Sequence, residues 1–232
     1  MKAYYDARAP EYDEWYLGAG RFAGLDRPDW DKDLRALRQA IAALPPARTL
    51  DVACGTGFLT RSLRGQITGL DQSDRMLAIA RNRLPEANLV QADALPLPFE
   101  DGSFERLFTS HFYGHLEPVQ RAGFLTEARR VASELVVVDS ALRPGHAPEE
   151  RQERILNDDS RFSVYKRYFD PPRLVRELGG GRVLLATSWF VMVSSPAEAV
   201  GTVESPEENQ PGRRTPHRDQ GLCPPSPWGG ML

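Results

Sequence analysis

The sequence predicts an α/β fold: a doubly wound, mainly parallel sheet of seven strands with an antiparallel last strand. Three observations predict it. Short apolar runs alternate with amphipathic helical stretches from about residue 47 to residue 140. Three successive apolar runs end in an acid, at Asp51, Asp71 and Asp93. One run, "ELVVVDS", is almost continuously apolar, as a strand covered on both faces must be. Strand–helix alternation of this kind builds a parallel sheet with helices on its faces.

Each element can be justified in order. Residues 1–28 are aromatic and acidic, with glycines at 18, 20 and 24. From Asp31 the period becomes helical, with Leu34, Leu37, Ile41 and Leu44 on one face and Pro45-Pro46 as the stop. "RTLDVA" reads as the first strand, followed by a glycine turn and a helix from Gly57 to Leu63. "QITGLD" is the second strand, and Ser73 caps a helix carrying Met76, Leu77, Ala80 and Leu84. "NLVQAD" is a third strand ending at Asp93, and the proline-broken loop "ALPLPFEDGS" follows. "FERLFTS" is the fourth strand, Pro118 opens a helix with Phe124, Leu125, Ala128 and Val131 inward, and "ELVVVDS" is the fifth strand.

Beyond Ser140 the chain turns polar. "EERQERILN" reads as a helix with a solvated charged face. Asp170-Pro171 starts another helix, which Gly179 to Gly181 end. "RVLLATSWFVMVSS" offers two strands in a hairpin turning near Ser188. From about Pro196 large apolar residues become scarce, and residues 196–232 are expected to be a disordered tail.

Composition bounds the function. The chain has 232 residues, 41% hydrophobic and 26% charged, with a net charge of −3. That balance supplies no overall basic face for nucleic acid. Cys54 and Cys223 make neither a disulfide framework nor a Cys-x-x-Cys metal spacing, and no metal site is expected. No apolar run approaches the length of a membrane span, and the aromatic, acidic start does not read as a signal peptide. The expectation is a cytoplasmic protein, monomer or homodimer, acting on a small molecule away from membranes.

In an open parallel sheet, ligands bind beyond the carboxyl ends of the strands, so Asp51, Asp71 and Asp93 should share one crevice. The glycine turn allows close approach of a ligand, and the acid ending the second strand suits ribose hydroxyls. A pyrophosphate fingerprint would place a third glycine at position 60, where Thr60 stands. Asp51 would repel a pyrophosphate and welcome an ammonium group. A ligand with a ribose, a base and a cationic amino-acid end fits, and S-adenosylmethionine is such a ligand.

The chain resembles the class I, S-adenosylmethionine-dependent small-molecule methyltransferases (methyltransferase domain 11/25-like), which have a Rossmann-like core. "DVACGTG" matches the family's D-x-G-x-G-x-G except that Ala53 replaces the first glycine. "GLDQS", "QADALPLPF" and "FERLFTSHFYGHL" match the motifs that follow, and "ARAPEYDEWY" resembles the N-terminal lid. The resemblance spans roughly residues 4–195. It implies an N-terminal lid and helix over 1–46 and a cofactor-binding core over 47–195. It implies that Asp51 meets the methionine amino group and that Ala53, Gly55 and Gly57 let the backbone pass beside the cofactor. Asp71 would accept from the ribose hydroxyls, with Gln72 and Met76 bordering ribose and adenine. Asp93 would accept from the adenine amine, the Ala94 amide would donate to a ring nitrogen, Ser110 would lie near the methionine chain, and Tyr12 would close the lid.

His111 and His115 follow the fourth strand, where the family's methyl acceptor sits, and either could act as a general base. They could also simply cap a helix or pack against the lid. Tyr4, Tyr5, Trp15 and Tyr16 could stack on an acceptor or on the sulfonium, or pack on the sheet. Lys166, Arg167 and Tyr168 could meet an acidic substrate or lie on the surface. Cys54 reads as a small buried filler. A non-catalytic relative that only binds the cofactor is the alternative, and an NAD-dependent oxidoreductase on a similar fold is the more distant one.

Overall fold

The computed structural model describes residues 1–196. The expected tail therefore lies outside the described residues, except Pro196, which closes the last strand. The elements run α1 (Lys2–Arg8), α2 (Glu14–Leu17), α3 (Trp30–Ala42), β1 (Ala47–Val52), β2 (Gly65–Asp71), α4 (Asp74–Arg83), β3 (Asn88–Gln91) and β4 (Phe104–Ser110). They continue with α5 (Pro118–Val131), β5 (Ala132–Ser140), β6 (Glu149–Ile155), β7 (Arg161–Arg167), α6 (Pro171–Glu177), β8 (Arg182–Ala186) and β9 (Phe190–Pro196).

Seven strands form one sheet in the order β3-β2-β1-β4-β5-β9-β8. The first five are parallel, and β9 inserts antiparallel between β5 and β8. Period-two alternation divides the core between the two faces. Leu107, Leu135, Val137, Val191 and Val193 pack with Phe124, Ala128 and Val131 of α5 and Leu174 of α6. Their neighbours Phe108, Val136, Val138, Phe190 and Met192 pack with Leu37 and Ile41 of α3. Each such buried side chain contributes roughly 1.5–3 kcal/mol of transfer free energy. The helix starts obey their local chemistry: Ser73 Oγ accepts from the Met76 amide at 3.2 Å, and an Asp170 oxygen accepts from the Arg173 amide at 2.8 Å.

Four expectations are corrected. The segment from Gly57 to Leu63 is no α-helix; it holds one 3-10 turn, Thr60–Ser62. Residues 53–64 join two adjacent parallel strands, which leaves little room for a helix, and the Thr60 hydroxyl is taken by Asp51 at 2.6 Å. The third strand ends at Gln91, so Asp93 stands in the loop beyond it. "EERQERILN" is mostly strand β6, paired antiparallel with β7 in a separate two-stranded sheet. The aromatic and branched positions Phe162 and Val164 supply β7, and cross-strand ties such as Arg161–Glu153 (2.8 Å) and Tyr165–Glu149 (2.7 Å) override the helical reading of the charges. Lys166 and Arg167 of β7 are buried rather than on the surface.

Candidate functional site

Parallel registers bring the ends of β1, β2 and β4 level: Val52 pairs with Leu70 on one side and Thr109 on the other. Beyond these ends lies a cavity of about 280 Å³. The turn after β1 contributes Ala53 and Gly55, and the end of β2 contributes Asp71 and Gln72. Met76, Asp93 and Ala94 line the cavity from α4 and the loop after β3, while Ser110, His111 and His115 line it from the end of β4. Tyr12 and Tyr5 cover it from the N-terminal segment.

The turn is held open by backbone conformation. Ala53, Gly55 and Gly57 have φ of 59°, 56° and 74°. At Ala53 this left-handed geometry falls on a residue with a Cβ, at a cost of roughly 1–2 kcal/mol. Gly57 does not line the cavity; a Cβ there would meet Leu84 Cδ1 at 2.7 Å, so this glycine lets the turn pack on α4. Asp71 organises the turn: its Oδ2 accepts from the Gly55 amide and its Oδ1 from the Ser73 amide, both at 2.9 Å. Burial pushes its carboxyl up, and the backbone hydrogen bonds partly offset that.

Asp51 does not line the cavity either. It lies beneath the turn, fully buried, with Oδ2 accepting from Thr60 and Oδ1 without a partner. Burial raises its carboxyl to about 7, against the Thr60 hydrogen bond and helped by the charge of Asp71. An orphaned carboxylate oxygen under an open turn fits a nearby cation.

A latch joins the N-terminal segment to the turn. Thr56 Oγ1 donates to Asp13 Oδ1 at 2.6 Å, and Arg83 donates to Asp13 Oδ2 at 2.6 Å and to the Thr56 carbonyl at 2.9 Å. Asp13 and Thr56 stand in the motifs read above, but Arg83, on the last turn of α4, had no signal beyond its charge.

A second cavity, of about 400 Å³, adjoins the first, with Tyr5, Tyr12, His111 and His115 lining both. Tyr4, Trp15, Tyr16, Phe22, Tyr168 and Trp189 complete its aromatic side, and Arg8, Arg27, Arg143, Arg154 and Lys166 its basic side. The β6–β7 sheet supplies Gln152, Arg154 and Lys166, which is why the helical reading of β6 hid this chamber. Arg167, also from β7, turns away from it and pairs with Glu177.

His111 has φ 54° and packs edge-on against Trp15 at 5.0 Å. Burial lowers its imidazole to about 4 and that of His115 to about 3, so both are neutral at pH 7. His115 Nδ1 faces the Tyr165 carbonyl at 2.7 Å; the carbonyl can only accept, which places the proton on Nδ1 and leaves the Nε2 lone pair free. Below them, Asp139 accepts from Lys166 Nζ at 2.6 Å and from the Gly114 amide at 2.7 Å. Burial alone would raise the Asp139 carboxyl, but Lys166 holds it below the usual range.

Comparison with known proteins bears on this architecture. Residues 50–134 match the family model described as a methyltransferase domain. The chain is 38% identical over 98 residues to the demethylmenaquinone methyltransferase of Thermotoga maritima, covering 40% of this chain and 42% of that protein. It is 35% identical over 120 residues to the enzyme of the same name from Thermus thermophilus, covering 46% and 54%. The chain thus spans about half the length of the curated relatives it matches. The solved DhpI-SAH complex superposes with a TM-score of 0.64 at 25% identity, covering 84% of this chain and 94% of that one.

Proposed function

We propose that this chain, which belongs to the class I S-adenosylmethionine-dependent methyltransferases, moves the cofactor's methyl group to a small molecule held in the second cavity. The observation that carries the reading is the pair of cavities with a common wall. One has the strand-end acids and the open turn, and the other meets it at Tyr5, Tyr12, His111 and His115.

The residues present fit the cofactor. Asp71 keeps lone pairs for the ribose hydroxyls while its backbone bonds hold the turn. Asp93 and the Ala94 amide suit the adenine edge, with Gln72 and Met76 beside the ring. Ser110 borders the methionine chain, and Asp51, buried beneath the turn outside the cavity lining, would act on the ammonium end by its charge. Tyr12 covers the site, latched through Asp13. Bound there, the cofactor supplies a methyl carbon activated by a positive sulfur.

The protein's own work is then alignment and exclusion of water. The aromatic wall shields the space between the cavities. For an acceptor that arrives protonated, the free Nε2 lone pair of His115, or His111, is the base at hand. Calorimetry with S-adenosylmethionine, its demethylated product and NAD tests the reading, followed by a methyl-transfer screen over small acids, amines, phenols and demethylmenaquinone. Binding of the first two with turnover on one acceptor class supports it. Binding without turnover on any class supports a non-catalytic relative, and preferential binding of NAD removes the reading.

A further inference from the structure

Among the described residues, seven buried side-chain polar atoms have no hydrogen-bond partner, and His111 Nε2 is the one whose residue lines both cavities. His111 is 9% exposed. Its ring is fixed in place. The backbone sits at φ 54°, the amide donates to the Val138 carbonyl at 2.9 Å, and the ring packs edge-on against Trp15 at 5.0 Å and Phe190 at 5.8 Å. A buried polar atom without a partner costs free energy, so an orphan on the wall shared by two cavities marks the place of a ligand's polar group.

The other ring nitrogen decides what that group must be. Nδ1 stands 3.5 Å from Ser140 Oγ and 4.0 Å from Asp139 Oδ1. Asp139 is fully buried. Burial would raise its carboxyl, but Lys166, donating from Nζ at 2.6 Å, holds it below the usual range. The Gly114 and Ser140 amides also donate to it, each at 2.7 Å. It therefore stays an anion, which can only accept. An anion on that side favours the imidazole proton on Nδ1 and leaves a lone pair on Nε2. Asp139 itself lines neither cavity, so its effect on a ligand passes through His111.

Resting on the methyltransferase reading above, we infer that His111 accepts a hydrogen bond from a neutral hydroxyl, the group that takes the methyl, and that Asp139 is the positioning residue that fixes the imidazole proton on Nδ1. In the step, a lone pair on the hydroxyl oxygen forms the new oxygen–carbon bond while the carbon–sulfur bond breaks. The electron pair goes to sulfur, and the sulfonium becomes a neutral thioether. The hydroxyl proton passes to His111 Nε2 and from there to water, and the acceptor leaves as a neutral ether. Burial lowers the imidazole to about 4, which makes it too weak a base to ionise a free hydroxyl. It suffices here, because the oxygen turns into a protonated ether, a far stronger acid than imidazolium, as the oxygen–carbon bond forms. A methylated amine would hold its proton against such an imidazole, so the arrangement serves oxygen rather than nitrogen. The product ether has no hydrogen left to donate, which leaves Nε2 unpartnered again and favours release.

The test uses the full chain carrying isotope-labelled histidine and saturated with S-adenosylhomocysteine. Its imidazole nitrogens are followed by NMR while phenol, or its methyl ether anisole, is added; both rings suit the aromatic side of the second cavity. The expected result is a His111 imidazole that carries its proton on Nδ1, an Nε2 signal that moves saturably with phenol, and a phenol affinity at least about tenfold above that of anisole. The comparison is with the Asp139→Asn/Lys166→Met double variant, which removes both charges of the buried pair together. There the preference for phenol should fall at least about threefold, with anisole affinity within about twofold of wild type. A proton on Nε2 in the wild type, no shift with phenol, equal affinities for phenol and anisole, or a preference unchanged in the variant would each overturn the inference while leaving the methyltransferase reading in place. Equal weakening of both ligands in the variant would reduce Asp139 to a structural role and overturn its assignment. If the variant fails to fold, the proton position and the preference in the wild type still decide. A wild-type protein that fails to bind S-adenosylhomocysteine would remove the methyltransferase reading, and the inference with it.

Discussion

The two cavities are built in opposite ways. The first takes most of its residues from strand ends and turns between Ala53 and Gln120, with Met1, Tyr5 and Tyr12 as a cover, and its charged side chains are acids. The second draws on the N-terminal segment, the loop after β5, the β6–β7 sheet and Trp189, and its charged groups are mostly cations. A cationic cofactor would find the opposite charge in the first, and the two cavities meet at a nearly neutral aromatic wall. The contrast teaches that one sheet end can present two potentials, one from its own strand ends and one from elements added around it.

The comparison can be broken most sharply at Asp71. Asp71→Ala removes the acceptor proposed for the ribose hydroxyls and leaves the Gly55 and Ser73 amides unpartnered. Two charge-assisted hydrogen bonds at roughly 1.5–3 kcal/mol each predict a loss of S-adenosylmethionine affinity on the order of 100-fold or more. Calorimetry checks it, and an unchanged dissociation constant would place the ribose elsewhere.

A smaller effect is expected at the floor of the second cavity. A Cβ on Gly114 would stand 2.7 Å from the Arg167 carbonyl oxygen and 2.9 Å from Asp139 Oδ1. Gly114→Ala should cost about 1–3 kcal/mol by overpacking. That corresponds to a melting temperature lower by roughly 2–12 °C in a chain of this size. A melting curve matching wild type would show that the Asp139–Lys166 layer is looser than its contacts imply.

Acidity separates the cavities further. Asp51 has a carboxyl raised to about 7 by burial, so in the cofactor-free protein it is mainly protonated only below that pH. The sign follows: its contribution to stability is present below the ordinary carboxylate range and is lost as pH rises through about 7. Binding an ammonium group reverses the preference. Cofactor affinity should therefore rise from pH 5.5 to about 7 by about tenfold and then level off, with proton release measurable by calorimetry in buffers of different ionisation enthalpy. Asp51→Asn should flatten the profile. A pH-independent affinity in the wild type would detach Asp51 from the cofactor.

The smallest effect is expected from the histidines if the acceptor arrives as a free nucleophile. His115→Ala should then lower turnover by less than about tenfold, through alignment alone. A loss of about 10²–10⁴-fold, varying with pH, would instead assign the imidazole as a base.

Most of the first cavity was legible because its residues sit in short contiguous runs whose chemistry and order reinforce one another: "LDVACGTG", "GLDQS" and "QAD". The sheet was legible for a similar reason, down to the β8–β9 hairpin, since apolar runs betray buried strands. The second cavity was not. Arg8, Arg143 and Arg154 are single charges in polar segments, and only the fold brings them to one cavity. Glu149 to Ile155 carry helix-forming charges that pair across to β7 instead, so local preference pointed the wrong way. Lys166 could be read as meeting an acidic substrate, but nothing in the sequence revealed that Asp139, 27 positions away, would hold it in the wall.

The central claim is that the two cavities have separate tasks, and one calorimetric series tests it most directly. S-adenosylmethionine is titrated into wild type, Asp71→Ala and Arg154→Gln under the same conditions. The account predicts binding by wild type, a loss on the order of 100-fold in Asp71→Ala, and affinity within about twofold of wild type in Arg154→Gln, since Arg154 lines only the second cavity. Equal weakening in both variants, or full affinity in Asp71→Ala, would contradict it.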